Sequence, residues 1–235
     1  MMNQFKSRTM IRTALAVLVL VAAVPVLGQV EFTFEGFSKS TLGQDVVGST
    51  YTVLGIANPA VSAPTPLAMD FANNEYTIRV TGLTLAAFAE DLAIGAKTYA
   101  FNGGLIEIFE DAKVGGTAAA YAAEGTFVDG TMLLQAVVDP NWEMRLDNPP
   151  PGLFGYSGNG VGSCDLTGGS ELPMLIGMEF TTDNWTFAGT GIEEDNFFNT
   201  IPPGYDLKFG TKVIFPFDPT PADEASWGEV KSLFR

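Results

Sequence analysis

The chain has 235 residues, 27 Asp and Glu against 12 Lys and Arg, one cysteine and no histidine, for a formal charge of −15. The absence of histidine excludes a Ser-His-Asp triad, a Cys-His dyad, His-ligated zinc and a histidine proton shuttle. A lone cysteine, Cys164, excludes an internal disulfide framework, and the acidic balance disfavours nucleic acid and anionic lipid, whose phosphates it repels.

Lys6, Arg8 and Arg12 form a basic start, and residues 14–27 are almost wholly apolar. The apolar run is about 14 residues, the length of a signal-peptide core and short of the ~20 that span a bilayer. Pro25 sits where a signal helix breaks. Val26 and Gly28 are small enough for the −3 and −1 pockets of a signal peptidase, so cleavage after Gly28 is expected. No cysteine stands at that junction to take a lipid. Cleavage leaves about 207 residues with a charge of −18, since Lys6, Arg8 and Arg12 depart with the leader. The remainder is expected to be secreted, extracellular or envelope-associated, with the secretion machinery as a partner and no stable transmembrane span after cleavage.

Residues 29–215 read as a single all-β domain. Short β-rich runs are separated by pairs that tolerate positive φ: Asn73-Asn74, Asn102-Gly103-Gly104, Asp129-Gly130 and Asp183-Asn184. Four such units predict an antiparallel meander of consecutive hairpins, closed as a β-sandwich or a partly closed barrel. In residues 75–85, Tyr76, Ile78 and Val80 share one side while Glu75, Thr77, Arg79 and Thr81 share the other, which predicts a strand with one wet face. Residues 105–110 are apolar on both sides apart from Glu107 and Glu110, which predicts a more central strand. Residues 85–94 (LAAFAEDLAI) are the best internal helical candidate, and residues 118–123 a possible further turn of helix. Residues 205–217 read as a late strand ending at Pro216.

Two loops are expected from composition, residues 147–162 with three consecutive prolines and residues 191–204. Residues 216–221 read as a proline-rich linker. Residues 222–235 read as a short amphipathic C-terminal helix, with Trp227 and Val230 on one side, acids near its start, and Lys231 and Arg235 near its end to match the helix dipole.

Few patterns point to chemistry. Glu107 and Glu110 are three apart on a strand, hence on opposite faces, which is wrong for a shared acid–base site. Glu193, Glu194 and Asp195 lie together in a loop, the kind of oxygen donors that a structural calcium ion takes, with Asp45 and Asp183 of the same type; they are the first place to look for that one candidate ion. Phe154, Tyr156, Trp185, Phe197 and Phe198 are the aromatics placed to stack on a sugar ring. No catalytic residue and no organic cofactor is expected.

The strand around residues 33–36 (TFEG), the segment PLAMDFANNEYT at 66–77, LIEIFED at 105–111 and the tail SWGEVKSLFR at 226–235 resemble an uncharacterised class of secreted bacterial β-sandwich proteins with a WGxVKxLxR-type tail. The resemblance implies localisation and fold more than activity. It also makes Trp227, Val230, Lys231 and Arg235 candidates for recognition by an export or surface-attachment machine. The leading functional expectation is therefore a non-enzymatic β-domain with a structural or binding role outside the cell. The alternatives are a carbohydrate-binding module and a carboxylate-dependent hydrolase, and the partner expected of a binding role is an extracellular glycan or protein.

Overall fold

The computed structural model describes residues 29–59, 67, 69–148, 155–177, 180–195 and 200–216. The expected leader, residues 217–235 with Trp227, Val230, Lys231 and Arg235, and the loop aromatics Phe154, Phe197 and Phe198 lie outside the described residues.

Among the described residues ten strands form one sheet: β1 (Gln29–Ser40), β2 (Thr50–Ala57), β3 (Asn74–Asp91), β4 (Ala96–Asn102), β5 (Leu105–Ala112), β6 (Thr131–Val138), β7 (Trp142–Asp147), β8 (Ser157–Gly168), β9 (Trp185–Glu194) and β10 (Leu207–Pro216). Every pairing is antiparallel, and β1 pairs with β10, so the sheet closes on itself. Eight strands (β1, β2, β3, β5, β6, β8, β9 and β10) make the closed barrel. The other two lengthen it. Strand β5 pairs with residues 74–81 of β3 and β4 with residues 84–91, so β4 and β5 follow one another along one edge of β3. Strands β6 and β7 do the same beside β8. Strand order around the wall is thus sequence order, as a meander requires.

Glycine and proline set the joints between the collinear pieces. Gly103 and Gly104 have φ of 67° and 127°, and Gly82, across on β3, has 75°. These are backbone conformations that favour glycine. Pro140 and Asn141, the latter at φ 70°, make the matching joint between β6 and β7. The Asn102-Gly103-Gly104 run is therefore a kink between two strands on the same edge, not the hairpin turn that its composition suggests. Asp129-Gly130 and Asp183-Asn184 do precede strands, β6 and β9. What stands before them, however, is a 3-10 turn (Glu124–Phe127) and a short helix, α1 (Leu172–Gly177). Residues 85–91, expected as helix, continue β3, and residues 92–95 are its hairpin tip. Alanine tolerates both states, and the pairing of this stretch with β4 decides between them.

Alternation sends the large apolar side chains inward. Phe32, Phe34, Tyr51, Tyr76, Phe101, Trp142, Trp185 and Phe187 are all at or below 2% exposure and pack together with Ile, Leu and Val from β2, β3 and β5 to β10. The barrel interior is a filled core. Room for the Trp142 indole comes from β8, where a β-carbon at Gly160 would stand 2.3 Å from the ring and one at Gly162 2.6 Å. The indole N–H donates to the Phe187 carbonyl at 2.9 Å.

Outside, the long connection 113–130 wraps back over the wall. Phe127 is fully buried there, and its carbonyl accepts from the Thr77 hydroxyl at 2.7 Å. Lys39 pairs with Glu124, and the Ala119 N–H donates to Glu75 at 2.8 Å. Residues 106–109 of β5 are buried on both faces, as its sequence predicts. Glu107 faces outward to Arg79 at 2.6 Å while Glu110 faces inward to the Tyr76 hydroxyl at 2.7 Å.

Candidate functional site

The densest polar cluster closes one mouth of the barrel. Lys97 shares a face of β4 with Tyr99 and Phe101, so its side chain enters the core end-on and only 7% of the residue is exposed. Two acids meet it. Asp45 descends from the β1–β2 loop to 3.1 Å from the ammonium, and Glu194 comes from the end of β9 to 2.8 Å. The Tyr99 hydroxyl donates to the other oxygen of Asp45 at 2.7 Å, and Gln44 donates to Glu194 at 2.7 Å. The Tyr51 hydroxyl donates to the Gln44 carbonyl. The Tyr156 ring covers the ammonium at 4.4 Å and its hydroxyl donates to Glu90 at 3.1 Å.

The electrostatics keep the Lys97 ammonium charged. Burial alone would push the Lys97 ammonium down, but the hydrogen bonds and charges of Glu194 and Asp45 outweigh it and hold the pKa above its ordinary value. Burial, reinforced by Asp45, raises the Tyr51 and Tyr99 phenols well beyond their usual range. A charged lysine is no nucleophile. Asp45 and Glu194 are both engaged by the Lys97 ammonium. The cluster works as a plug that ties the β1–β2 loop, β4 and β9 together.

Residues singled out by sequence fall as follows. Trp185 is fully buried, with its indole N–H donating to the Thr181 carbonyl at 2.7 Å. Tyr156 is partly exposed at the plug. Glu193 and Glu194 point to opposite sides of β9, Glu194 into the plug and Glu193 outward beside Lys208. Asp195 accepts from the Ile201 N–H at 3.4 Å. Among the described residues no three acidic or cysteine side chains gather at a common point. Cys164 is buried, and burial pushes its thiol up to about 12. Lys97 is the functional-looking residue that sequence reasoning passed over. Its signal was present in KTYAF, where alternation puts the lysine on the apolar face.

Clefts lie on the outer wall. One, about 540 Å³, crosses β3, β4, β7 and β8 over a floor of Ala87, Ala89 and Ala100. Two others sit side by side where the last strand meets the first. One, about 390 Å³, is walled by Phe37 and Tyr121; the other, about 180 Å³, by Thr190 and Gly191. Both are lined by Glu35 and Lys208.

No protein-family model, curated protein or solved structure matches this chain.

Proposed function

We propose that this chain is an exported, non-enzymatic β-barrel that acts at the cell exterior or envelope by binding through its outer surface. The observation that carries the reading is the polarity of the wall. The interior is apolar and filled, while Glu35, Lys39, Arg79, Glu143, Arg145 and Lys208 line the outside. A membrane-spanning barrel has the opposite polarity, apolar toward lipid and polar toward its lumen. A ligand carrier keeps an empty centre. What remains to a barrel of this kind is its outer face, and all three clefts described above open there.

The basic start and apolar run of residues 1–28 supply the route outward, and the strongly acidic composition suits a dilute, water-facing life. The pair Asp45 and Glu194 lends a hydrolase no support, because both carboxylates are bound to Lys97.

Fractionating the producing cell and reading intact mass tests this. The expected result is a species outside the cytoplasm that begins at Gln29. A cytoplasmic protein that retains Met1 overturns the reading.

A further inference from the structure

The seam between β1 and β10 carries a second polar constellation, unrelated to the plug. On the outer face Phe37 is the register partner of Lys208, and Lys208 in turn of Glu193. The next outward position on β10 is Gly210, beside a register irregularity between Lys208 and Gly210. A β-carbon at Gly210 would stand 2.4 Å from the Thr190 carbonyl oxygen, so this patch of wall is bare by necessity. Bulges and bare glycines of this sort mark places where a strand is re-aimed or something approaches the backbone.

Around the bare floor stand three kinds of group. The first is an aromatic wall. Phe37 and Tyr121 meet edge to face with centroids 4.8 Å apart. Tyr121 is delivered by the external 113–130 connection and fixed twice: its hydroxyl donates to the Glu35 carbonyl at 3.2 Å, and its own carbonyl accepts from the Tyr205 hydroxyl at 3.1 Å. The second is an acid–amide pair, with Asn58 donating to the Glu35 carboxylate at 3.0 Å. The third is a cation. Lys39, Arg79, Lys97 and Arg145 each pair with a carboxylate, whereas Lys208 makes no ion pair among the described residues. Because Glu35 and Lys208 line both clefts, the two spaces form one trough across β2, β1, β10 and β9.

We infer that this trough binds a neutral glycan, with one pyranose ring against Phe37 and Tyr121 and its hydroxyls shared among Glu35, Asn58 and Lys208. The inference rests on the binding role proposed above and names its ligand class. A pyranose has an apolar C–H face and a rim of hydroxyls that both donate and accept. It therefore matches an aromatic wall beside a carboxylate that accepts, an ammonium that donates and an amide that does both. An anionic sugar is disfavoured by Glu35 in the trough, by Glu193 on the strand beside Lys208 and by the −15 charge of the chain. A bare apolar segment of a partner protein would leave the acid, amide and ammonium without partners.

The test is an NMR titration of the full-length secreted protein with hexamers of β-1,4-glucose, β-1,4-N-acetylglucosamine and α-1,4-glucose, with an α-1,4-galacturonate hexamer as the anionic comparison. At least one neutral hexamer is expected to shift the amides of Gly36, Thr190 and Gly210 saturably. Lys208→Ala and Glu35→Gln, both on the outside of the wall, should weaken that binding about tenfold each with melting temperature unchanged. Should all three neutral hexamers leave those amides unmoved at millimolar concentration, the inference is overturned. The same holds if shifts cluster away from the seam, or if galacturonate binds more tightly than every neutral hexamer. Extracellular location with no sugar binding would overturn this inference while leaving the proposed export intact.

Discussion

A single side chain controls one mouth of this barrel. At the mouth, Lys97 neutralises two acids that would otherwise face each other. Replacing it with Met should cost about 2 kcal/mol, toward the low side for a broken buried pair because the Asp45 side chain is about a third exposed. Urea unfolding of Lys97→Met against wild type reads this, and equal midpoints would remove the plug from the account. The same groups give the pH dependence. A lysine whose folded pKa is raised contributes stability that is fully present below its unfolded value and lost as pH climbs through the folded one. Burial, the first cause in each case, also raises Tyr51, Tyr76, Tyr99 and Tyr121, and Tyr205 to about 12. Above pH ~10 the unfolded chain therefore holds fewer protons than the folded one, and stability must fall. Melting temperature should be nearly flat from pH 7 to ~9.5 and drop beyond ~10; a flat profile to pH 11.5 contradicts these assignments. Within the wall, Gly160→Ala drives a methyl into the Trp142 ring and should destabilise by about 2–3 kcal/mol. Calorimetry of that variant beside Gly177→Ala, where a β-carbon meets open space, separates the clash from a general cost of losing glycine.

At the level of elements, the outer connection 113–130 is as much part of the fold as any strand. Phe127 is fully buried against the outside of the wall, so Phe127→Ala should cost about 3 kcal/mol despite lying in a connection rather than in the barrel. Chemical denaturation reads it, and a loss below 1 kcal/mol would mean that the connection merely rests on the barrel. Elements of this type were hard to read in the sequence. Alternation in residues 75–81 and the two-faced apolarity of residues 105–110 announced β3 and β5 correctly, because a period of two has few other readings. The turn pairs misled. Asn102-Gly103-Gly104 permits both a hairpin and a kink, and only the shared pairing of β4 and β5 with β3 separates them. The alanines of residues 85–91 carry no strong preference, so the pairing of β3 overrode a local helical pattern. The trough was illegible for the same reason. Phe37, Tyr121 and Lys208 are far apart in sequence, and closure of β1 on β10 brings them together. By contrast Asp45 and Glu194 were recognisable as oxygen donors; their partner, Lys97, was visible only to someone who trusted the alternation.

The molecule as a whole is a barrel with charged side chains on its outside and a filled inside, and the proposed role rests on that polarity. Antiparallel neighbours in sequence order need no crossover, so one closed sheet can form without a disulfide from a chain with a single, buried cysteine. Two tryptophans in the centre, Trp142 and Trp185, report on the claim directly. Titration of a small apolar fluorophore into the folded protein, followed by quenching of those indoles, is the most direct test. The account predicts no saturable one-to-one binding until the barrel unfolds. A stoichiometric complex in the folded state, with both tryptophans quenched, would mean that the interior is a container and would contradict it.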